Sequence, residues 1–195
     1  EVALTAQKAE REFAGVNCGI MDQYASACGR KNHAMLLDCK TLECEYVPIK
    51  LKDYSIVVIN CKKPHNLVES KYNERRSETE QALKHYQRYV DISCLAELSI
   101  KDLEAYKNDL DEIVYKRCKH VVYECDRVLK AESAMKSGDV IKLGKILNES
   151  HASLKDLYEV TGIELDTLAG LAQSHPACIG SRMTGAVFGG CTVSL

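Results

Sequence analysis

Residues 7–23, QKAEREFAGVNCGIMDQ, place two carboxylates, Glu10 and Asp22, on either side of a short loop. Twelve positions separate the two acids (22 minus 10), which is too many for neighbouring turns of one helix. Gly15 and Gly19 lie between them and can take backbone angles that other residues avoid. A turn at these glycines would fold the second segment back and bring both acids to one site. Acidic pairs at such spacing more often lie on solvent-exposed faces, so the spacing alone leaves both interpretations open.

The composition is that of an ordinary globular protein. The 195 residues are 46% hydrophobic and 28% charged, which supplies enough apolar side chains for a core. The net charge of −2 provides no basic surface, so we expect no nucleic-acid partner. No apolar run approaches the roughly 20 residues that a bilayer crossing needs. We therefore expect no membrane partner and a soluble, cytoplasmic protein.

The cysteine count is high, at ten. No pair has the CxxC spacing that zinc sites and redox pairs use, and the six histidines form no HExxH motif. We therefore expect reduced thiols that are buried in a cytoplasmic protein.

The two ends of the chain have the composition of interrupted elements. The first residues already have the pattern of a helix and lack an initiator Met, and the last, CTVSL, stop within an apolar, β-branched run. We therefore expect this chain to be a fragment of a longer protein.

Hydrophobic periodicity and turn residues predict an α+β fold. The predicted helices cover residues 3–12, 20–27, part of 64–90, 99–106, about 110–135, 139–147 and 161–171. The predicted strands are a hairpin of 33–38 with 43–49, a buried central strand at 55–60, and the final run 191–195. Four glycines between residues 180 and 190 predict a tight turn or an exposed loop before that last strand. Such loops can direct backbone amides at phosphate, although the P-loop pattern with its lysine is missing.

Four segments together resemble one family. GVNCGIMDQ (15–23) resembles the catalytic-acid motif of galactokinases, which are members of the GHMP small-molecule kinases, and GSRMTGAVFGGC (180–191) resembles their third, glycine-rich motif. VESKYNERR (68–76) and ESHASLKDLYEV (149–160) are similar to galactokinase segments in the same order. The similarity covers nearly the whole chain, and four motifs in order are far more specific than any one of them.

The resemblance implies a role for each matching position. Asp22 matches the catalytic aspartate, which accepts or orients the proton of the sugar 1-hydroxyl as that hydroxyl attacks the γ-phosphate of ATP. Glu10 matches the acid that helps to hold Mg²⁺. Gly19 matches a backbone contact to the sugar, and Tyr72 matches a side-chain contact to galactose. On its surroundings alone, Tyr72 would be a surface or packing residue, since it lies in a polar stretch.

The glycine-rich motif carries weaker implications. Gly185, Gly189 and Gly190 match the loop that packs beside the substrate and phosphate site, which implies a contact with the nucleotide. Val187 stands where the family usually has glycine, and a β-branched residue is costly if that position needs a positive φ angle. Leu157 stands where an acid is usual, which we interpret as a less serious departure.

Two elements of the family pattern do not occur in these 195 residues. They are the serine-rich nucleotide loop and the sugar-recognition motif with its acidic, histidine and arginine residues. We therefore expect the chain on its own to have no kinase activity.

Three functions fit this pattern. The first is galactokinase, and the second is a related GHMP kinase that acts on another sugar such as N-acetylgalactosamine. The CGIMDQ form favours the first. The third is a galactokinase-like sugar sensor without catalysis, against which the intact Asp22 and Glu10 argue.

The resemblance also implies a domain organisation. Residues 1–52 would be the C-terminal remnant of the GHMP N-terminal domain, which binds ATP and sugar, and residues 53–195 a truncated, helix-rich C-terminal α/β domain. The family's active site lies between these two domains. We expect the parent protein to be a monomer and the fragment to self-associate through the apolar surface that truncation exposes.

Overall fold

The structure is a computed structural model that describes residues 1–15, 17–63, 68–185 and 189–195, with residues 68–70 described by their backbone only. The chain divides into two compact units. The first comprises Glu1–Lys52 and Glu132–Val140, and the second comprises Asp53–Ala131 and Ile141–Leu195. Helices and sheet are both present, as the predicted α+β class requires.

The first unit contains two helices and a β-hairpin. The helices are α1 (Val2–Phe13) and α2 (Met21–Cys28), and the hairpin strands are β1 (His33–Leu37) and β2 (Cys44–Pro48). All four elements were predicted to within about two residues. The antiparallel register places His33 opposite Pro48 and Leu37 opposite Cys44.

The hairpin loop is stabilised by one carboxylate. Oδ1 of Asp38 accepts hydrogen bonds from the backbone N–H groups of Lys40 and Thr41, at 2.7 and 3.0 Å. An aspartate in this position closes a turn with its own side chain, which explains why the reversal needs no glycine. Leu42 then takes a positive φ of 63° before β2 begins.

The second unit holds the remaining elements. Its strands are β3 (Val57–Asn60), β4 (Ser181–Thr184) and β5 (Cys191–Ser194), and its helices are α3 (Val68–Tyr86), α4 (Ile100–Ala105), α5 (Glu112–Ser137), α6 (Val140–Ser153) and α7 (Gly162–Ser174). The last residues of α5 and the first of α6 belong to the first unit. A short π-helical turn, Leu154–Tyr158, follows α6. None of the helices in the described ranges combines the length and the apolar character that a bilayer crossing requires.

The main core of the second unit lies among α3, α4 and α5. Ala82, Tyr86, Leu103, Cys118 and Val122 are all buried there in one cluster. The hydroxyl of Tyr86 donates to the backbone carbonyl of Leu103 at 2.9 Å, so this buried polar group is satisfied. The core therefore joins three helices through the apolar faces that their hydrophobic periodicity predicts.

Helix α4, which the sequence predicts at residues 99–106, begins with a capping box. The hydroxyl of Ser99 accepts a hydrogen bond from the backbone N–H of Asp102 at 3.0 Å and donates to its carboxylate at 2.6 Å. Helix α7 starts differently, because Thr161 precedes it but makes no side-chain capping bond.

The sheet of the second unit has the order β3-β5-β4, and both pairings are antiparallel. The prediction of a buried central strand at residues 55–60 is wrong. Val57 is 51% exposed and Val58 is 61% exposed, and β3 pairs only with β5 within the described part of the chain. A β-branched run shows strand preference but does not report how many neighbours the strand has. Strand β4 was not predicted, since the glycines around it dominate the local pattern.

One close approach of two backbones fixes helix α6 against the sheet. A Cβ atom added to Gly144 would clash with the carbonyl of Ile179, and one added to Gly180 would clash with the carbonyl of Gly144. Only glycine permits this distance, so both positions are required for packing.

The prediction of buried thiols is wrong for most cysteines. All ten are free, but only Cys118 is fully buried, and Cys39 is exposed. Burial raises the pKa of Cys118 to about 12, so this thiol stays protonated.

Replacing Leu103 by Ala tests the core. Leu103 is 0% exposed, and its truncation leaves a cavity among three helices, so we expect the free energy of unfolding to fall by about 2–5 kcal/mol. Leu129→Ala is the matched control, because Leu129 is 58% exposed and the same truncation should cost less than about 0.5 kcal/mol. Urea unfolding measures both, and equal effects would contradict the assigned core.

Candidate active site

The loop between α1 and α2 is held by a backbone carbonyl. The oxygen of Cys18 accepts hydrogen bonds from Nε and Nη2 of Arg11, at 3.0 and 2.7 Å, and from Nε2 of Gln7 at 3.3 Å. Gly15, with a φ of 70°, supplies the left-handed residue at which the chain leaves α1. The glycine turn that the sequence predicts therefore returns the chain to the side of the helix it has just left.

The thiol of Cys18 connects the two helices. It pairs with the carboxylate of Glu10 on α1, and Nε2 of Gln23 on α2 lies 3.6 Å from its sulfur. Burial first, and then the hydrogen bond to Glu10, raise the pKa of Cys18, so the thiol is protonated and can donate to the carboxylate. Glu10 and the first turn of α2 thus meet at one residue.

Asp22 and Gly19 lie at the exposed side of this loop. Asp22 is exposed in the first turn of α2, near the positive end of the helix dipole, while its neighbour Gln23 is buried. Gly19 is exposed, and a Cβ atom added to it would meet nothing within 4 Å. The arrangement leaves a carboxylate and a backbone peptide group available to a ligand.

No cluster of three or more His, Cys, Asp or Glu side chains suited to a metal ion occurs among the described residues. Glu10 is exposed.

The predicted sugar contact Tyr72 lies in the second unit, where it lines a cavity of about 300 Å³. The cavity is lined by Tyr72, Arg75, Arg76, Thr79, Glu80, Tyr158 and Val160. These residues come from α3 and from the segment that follows α6, and the two groups are at least 78 positions apart along the chain (158 minus 80). Two tyrosines on one cavity give it both apolar ring surface and hydroxyl groups.

Two buried arginines bind the segment 157–159, which contributes Tyr158 to this cavity. Arg75 donates from Nε to the carbonyl of Tyr158 at 2.7 Å and from Nη1 to Glu78 at 3.0 Å. Arg117 donates to Glu78 at 2.9 Å and to Glu159 at 2.7 Å. Burial lowers the pKa of Arg117, but the hydrogen bonds to Glu159 and Glu78 outweigh it and raise the pKa overall.

The same network fixes the π-helical turn. Nη1 of Arg117 donates to the carbonyl of Leu157 at 2.6 Å, and Glu159 ends the turn with a left-handed φ of 55°. The hydrogen bond from Arg117 lowers the pKa of Glu159. Leu157, the departure from the family pattern, thus lies in a turn whose backbone is bound independently of its side chain.

His120 packs against the ring of Tyr158 from inside the unit. The two rings are stacked with centroids 4.5 Å apart, and Nδ1 of His120 lies 2.9 Å from the hydroxyl of Ser153. Burial, followed by the charges of Arg127, Arg182 and Arg117, lowers the pKa of His120 to about 3. The imidazole is therefore neutral and serves to position the tyrosine.

The glycine-rich motif connects β4 to β5. Gly185, Gly189 and Gly190 have φ values of 96°, 151° and 99°, which side-chain-bearing residues avoid. The carbonyl of Gly190 accepts from the backbone N–H of Cys61 at 2.9 Å, so the loop is tied to the end of β3. Val187 lies outside the described residues, so the cost predicted for it stays a prediction.

The predicted site residues fall into two groups. Glu10, Gly19 and Asp22 lie in the first unit, and Tyr72 with the three glycines lies in the second. Sequence reasoning missed Arg11, although Gln7 and Arg11 stand four positions apart on one helix face. It also missed the arginine network, in which Arg75 and Glu78 are local partners but most contacts join residues too distant along the chain for any local pattern.

Comparison with known proteins identifies relatives. Residues 131–195 match the family described as GHMP kinases C terminal. The chain is 51% identical over 197 aligned positions to galactokinase of Lactococcus lactis subsp. lactis (strain IL1403), covering 100% of this chain and 49% of the relative. It is 50% identical over 196 positions to galactokinase of Clostridium acetobutylicum, covering 100% of this chain and 50% of the relative. The chain thus spans about half the length of the curated relatives it matches.

Solved structures agree with these matches. The crystal structure of Lactococcus lactis galactokinase complexed with galactose matches with a TM-score of 0.95 at 50% identity, covering 99% of this chain and 50% of that one. The crystal structure of L. major mevalonate kinase in complex with R-mevalonate matches with a TM-score of 0.62 at 18% identity, covering 100% of this chain and 48% of that one. The second likeness shows a shared fold alone.

The buried His120 predicts an acid-sensitive second unit. Its folded pKa of about 3 lies below the ordinary value of 6.5, so only the unfolded chain binds this proton between those values. The contribution of the neutral, buried His120 to the free energy of unfolding is fully present above about pH 6.5. Below that pH, the free energy of unfolding should fall by about 1.4 kcal/mol per pH unit. Urea unfolding across this range should show a smaller pH slope for His120→Gln than for the unsubstituted chain.

His175→Gln is the control for this experiment, because His175 is exposed and its replacement should leave the pH slope unchanged. Equal slopes for His120→Gln and the unsubstituted chain would show that His120 is not held in the neutral form.

Proposed function

Because the chain belongs to the GHMP kinase family, we propose that its residues form part of a galactokinase, which transfers the γ-phosphate of ATP to the 1-hydroxyl of galactose. The observation that carries this proposal is the 50% identity to galactokinases along the whole chain, the loop around Cys18 included. Ten free thiols favour a reducing compartment, and we place the activity in the cytoplasm.

The domain assignment follows from the same premise. Residues 1–52 form the C-terminal remnant of the domain that binds ATP and sugar, and residues 53–195 form a truncated GHMP C-terminal domain. Two observations support it: the chain passes from one compact unit to the other between Lys52 and Asp53, and the family match covers residues 131–195 of the second part.

Asp22 handles the attacking hydroxyl. It is an exposed carboxylate in the first turn of α2, so its oxygens can accept a hydrogen bond from the sugar 1-hydroxyl. Phosphoryl transfer needs positioned oxygens and charge neutralisation more than covalent participation by the protein. Asp22 therefore orients the hydroxyl and takes up its proton as the bond to phosphorus forms.

Glu10 fits the part of a magnesium ligand. Mg²⁺ in phosphoryl-transfer enzymes keeps several waters and is bound by one or two carboxylates together with substrate phosphates. Glu10 is exposed and uses the thiol of Cys18 as a hydrogen-bond donor, which leaves acceptor positions on the carboxylate. The ion would neutralise the charge that develops on the phosphates.

Galactose is bound by Gly19 and Tyr72. The nucleotide is contacted by the glycine-rich motif, through Gly185, Gly189 and Gly190. The support is the exposure of Gly19, the position of Tyr72 on a cavity with a second tyrosine, and the positive φ angles of the three glycines. Positive φ allows successive amides to face an anion.

Asp22→Asn tests this function in the product of the complete gene that encodes these residues. Loss of the carboxylate should lower the kcat for galactose phosphorylation by about 10²- to 10⁴-fold, because that is the usual contribution of a positioned acid or base. Asp53→Asn, which changes an exposed aspartate outside the loop, should retain the full rate. A coupled ADP-release assay with galactose measures both.

Two outcomes would contradict the proposal. Equal rates for Asp22→Asn and the unsubstituted enzyme would remove Asp22 from the chemistry, and binding of galactose and ATP without any turnover would indicate a sugar sensor. The 195-residue chain alone should not phosphorylate galactose, since its sequence lacks the nucleotide loop and the sugar-recognition motif.

Self-association of the 195-residue chain is expected through β3. Ile56, Val57 and Val58 are exposed, and β3 pairs on one side only among the described residues, which is a template for pairing with another chain. Sedimentation velocity should show concentration-dependent association that Val58→Lys reduces. The complete gene product should be a monomer. A 195-residue chain that stays monomeric at all concentrations would refute this expectation.

A further inference from the structure

One backbone carbonyl in the first unit is bound by more donors than a turn requires. The oxygen of Cys18 accepts two hydrogen bonds from Arg11 and one from Gln7. A carbonyl oxygen has two lone pairs, so these three donors saturate it. The two donor residues stand one turn apart on α1, a rigid element, and not on the loop itself.

This contact determines the direction of the next N–H. The peptide bond between Cys18 and Gly19 is planar and trans, so its N–H points opposite to its carbonyl oxygen. The Gly19 N–H therefore faces away from the α1 side chains that hold the oxygen. It makes no hydrogen bond to another described residue, and Gly19 is exposed with open space around it.

The charge of Arg11 also changes the strength of that N–H. Hydrogen bonds from a guanidinium are stronger than neutral ones and polarise the peptide group that accepts them. A peptide whose oxygen is bound to a cation is a better donor at its nitrogen. Arg11 thus prepares the Gly19 amide in both direction and strength.

The thiol of Cys18 has contacts of its own, which do not involve its carbonyl. Gln23 and Glu10 hold its thiol, so the side chain of Cys18 stays anchored when Arg11 is lost. Loss of Arg11 should therefore leave the Cys18 carbonyl with only the longer bond from Gln7, which holds the peptide group less firmly, while the loop stays attached to both helices.

We propose that Arg11 is a positioning residue for sugar binding, which holds the Cys18–Gly19 peptide so that the Gly19 N–H donates to a hydroxyl of the sugar. This inference rests on the proposed function, since the contact between Gly19 and galactose belongs to it. Arg11 itself touches neither sugar nor phosphate and acts through the carbonyl of Cys18.

The test uses Arg11→Gln in the complete gene product. Without the charged, bidentate donor, the KM for galactose should rise roughly tenfold, the size expected for one weakened hydrogen bond to the substrate. The KM for ATP and the kcat should change less than twofold, because an interaction that is equal in ground and transition states affects KM alone. Arg11→Lys, which keeps the charge but not the fork, should give an intermediate KM for galactose.

Lys8→Gln is the matched control. Lys8 lies on the same helix, is exposed and pairs with Glu12 at 3.8 Å, with no hydrogen bond to the Cys18 carbonyl, so its loss should leave both KM values unchanged. Circular dichroism verifies that each variant is folded, and if Arg11→Gln does not fold, Arg11→Lys is judged by the same criterion.

The outcomes separate the two proposals. If the unsubstituted enzyme does not phosphorylate galactose, the proposed function fails. If it does and the Arg11 variants keep its KM for galactose, or raise the KM for ATP and lower the kcat equally, Arg11 has no positioning role toward the sugar.

Discussion

Two buried arginines, Arg75 and Arg117, are the constraint on which the second unit depends. Neither can lose its proton, so each must be paired where it is buried. Glu78, with a side chain only 13% exposed, accepts from both, and removal of one partner from such a buried pair typically costs about 3–5 kcal/mol. Glu159 contributes less, because its side chain is 54% exposed and water screens the pair. The wall of the cavity beside Tyr72 is thus built from groups that the fold already requires.

The first unit uses an arginine in a different way. Arg11 is exposed and binds a neutral carbonyl, so it adds little to the stability of the fold but restricts one peptide group in a loop. Loops that bind substrates must be held in one geometry by the scaffold that carries them. Helices α1 and α2 supply that geometry, and Cys18 is the residue at which both of them act.

Local signals account for what the sequence could predict. Ser99 and Asp102 mark a helix start, and Gly15 and Gly138 take positive φ angles where helices end. The exposed strand β3 was mispredicted because β-branched residues favour any strand, whether central or peripheral. Apart from the contacts of Arg75 within α3, the arginine network joins residues 39 to 84 positions apart, and no local pattern records such contacts. Chemical roles for Asp22 and Glu10 came from family resemblance, since an acidic pair alone is ambiguous.

The central proposal is that the loop around Cys18 belongs to a kinase for galactose. The most direct measurement is a competition experiment, in which the complete gene product receives ATP with equal amounts of galactose and N-acetylgalactosamine, and ³¹P NMR identifies the sugar phosphates formed. The account predicts galactose 1-phosphate as the main product. Preferential formation of N-acetylgalactosamine phosphate, or the absence of any sugar phosphate, would contradict it.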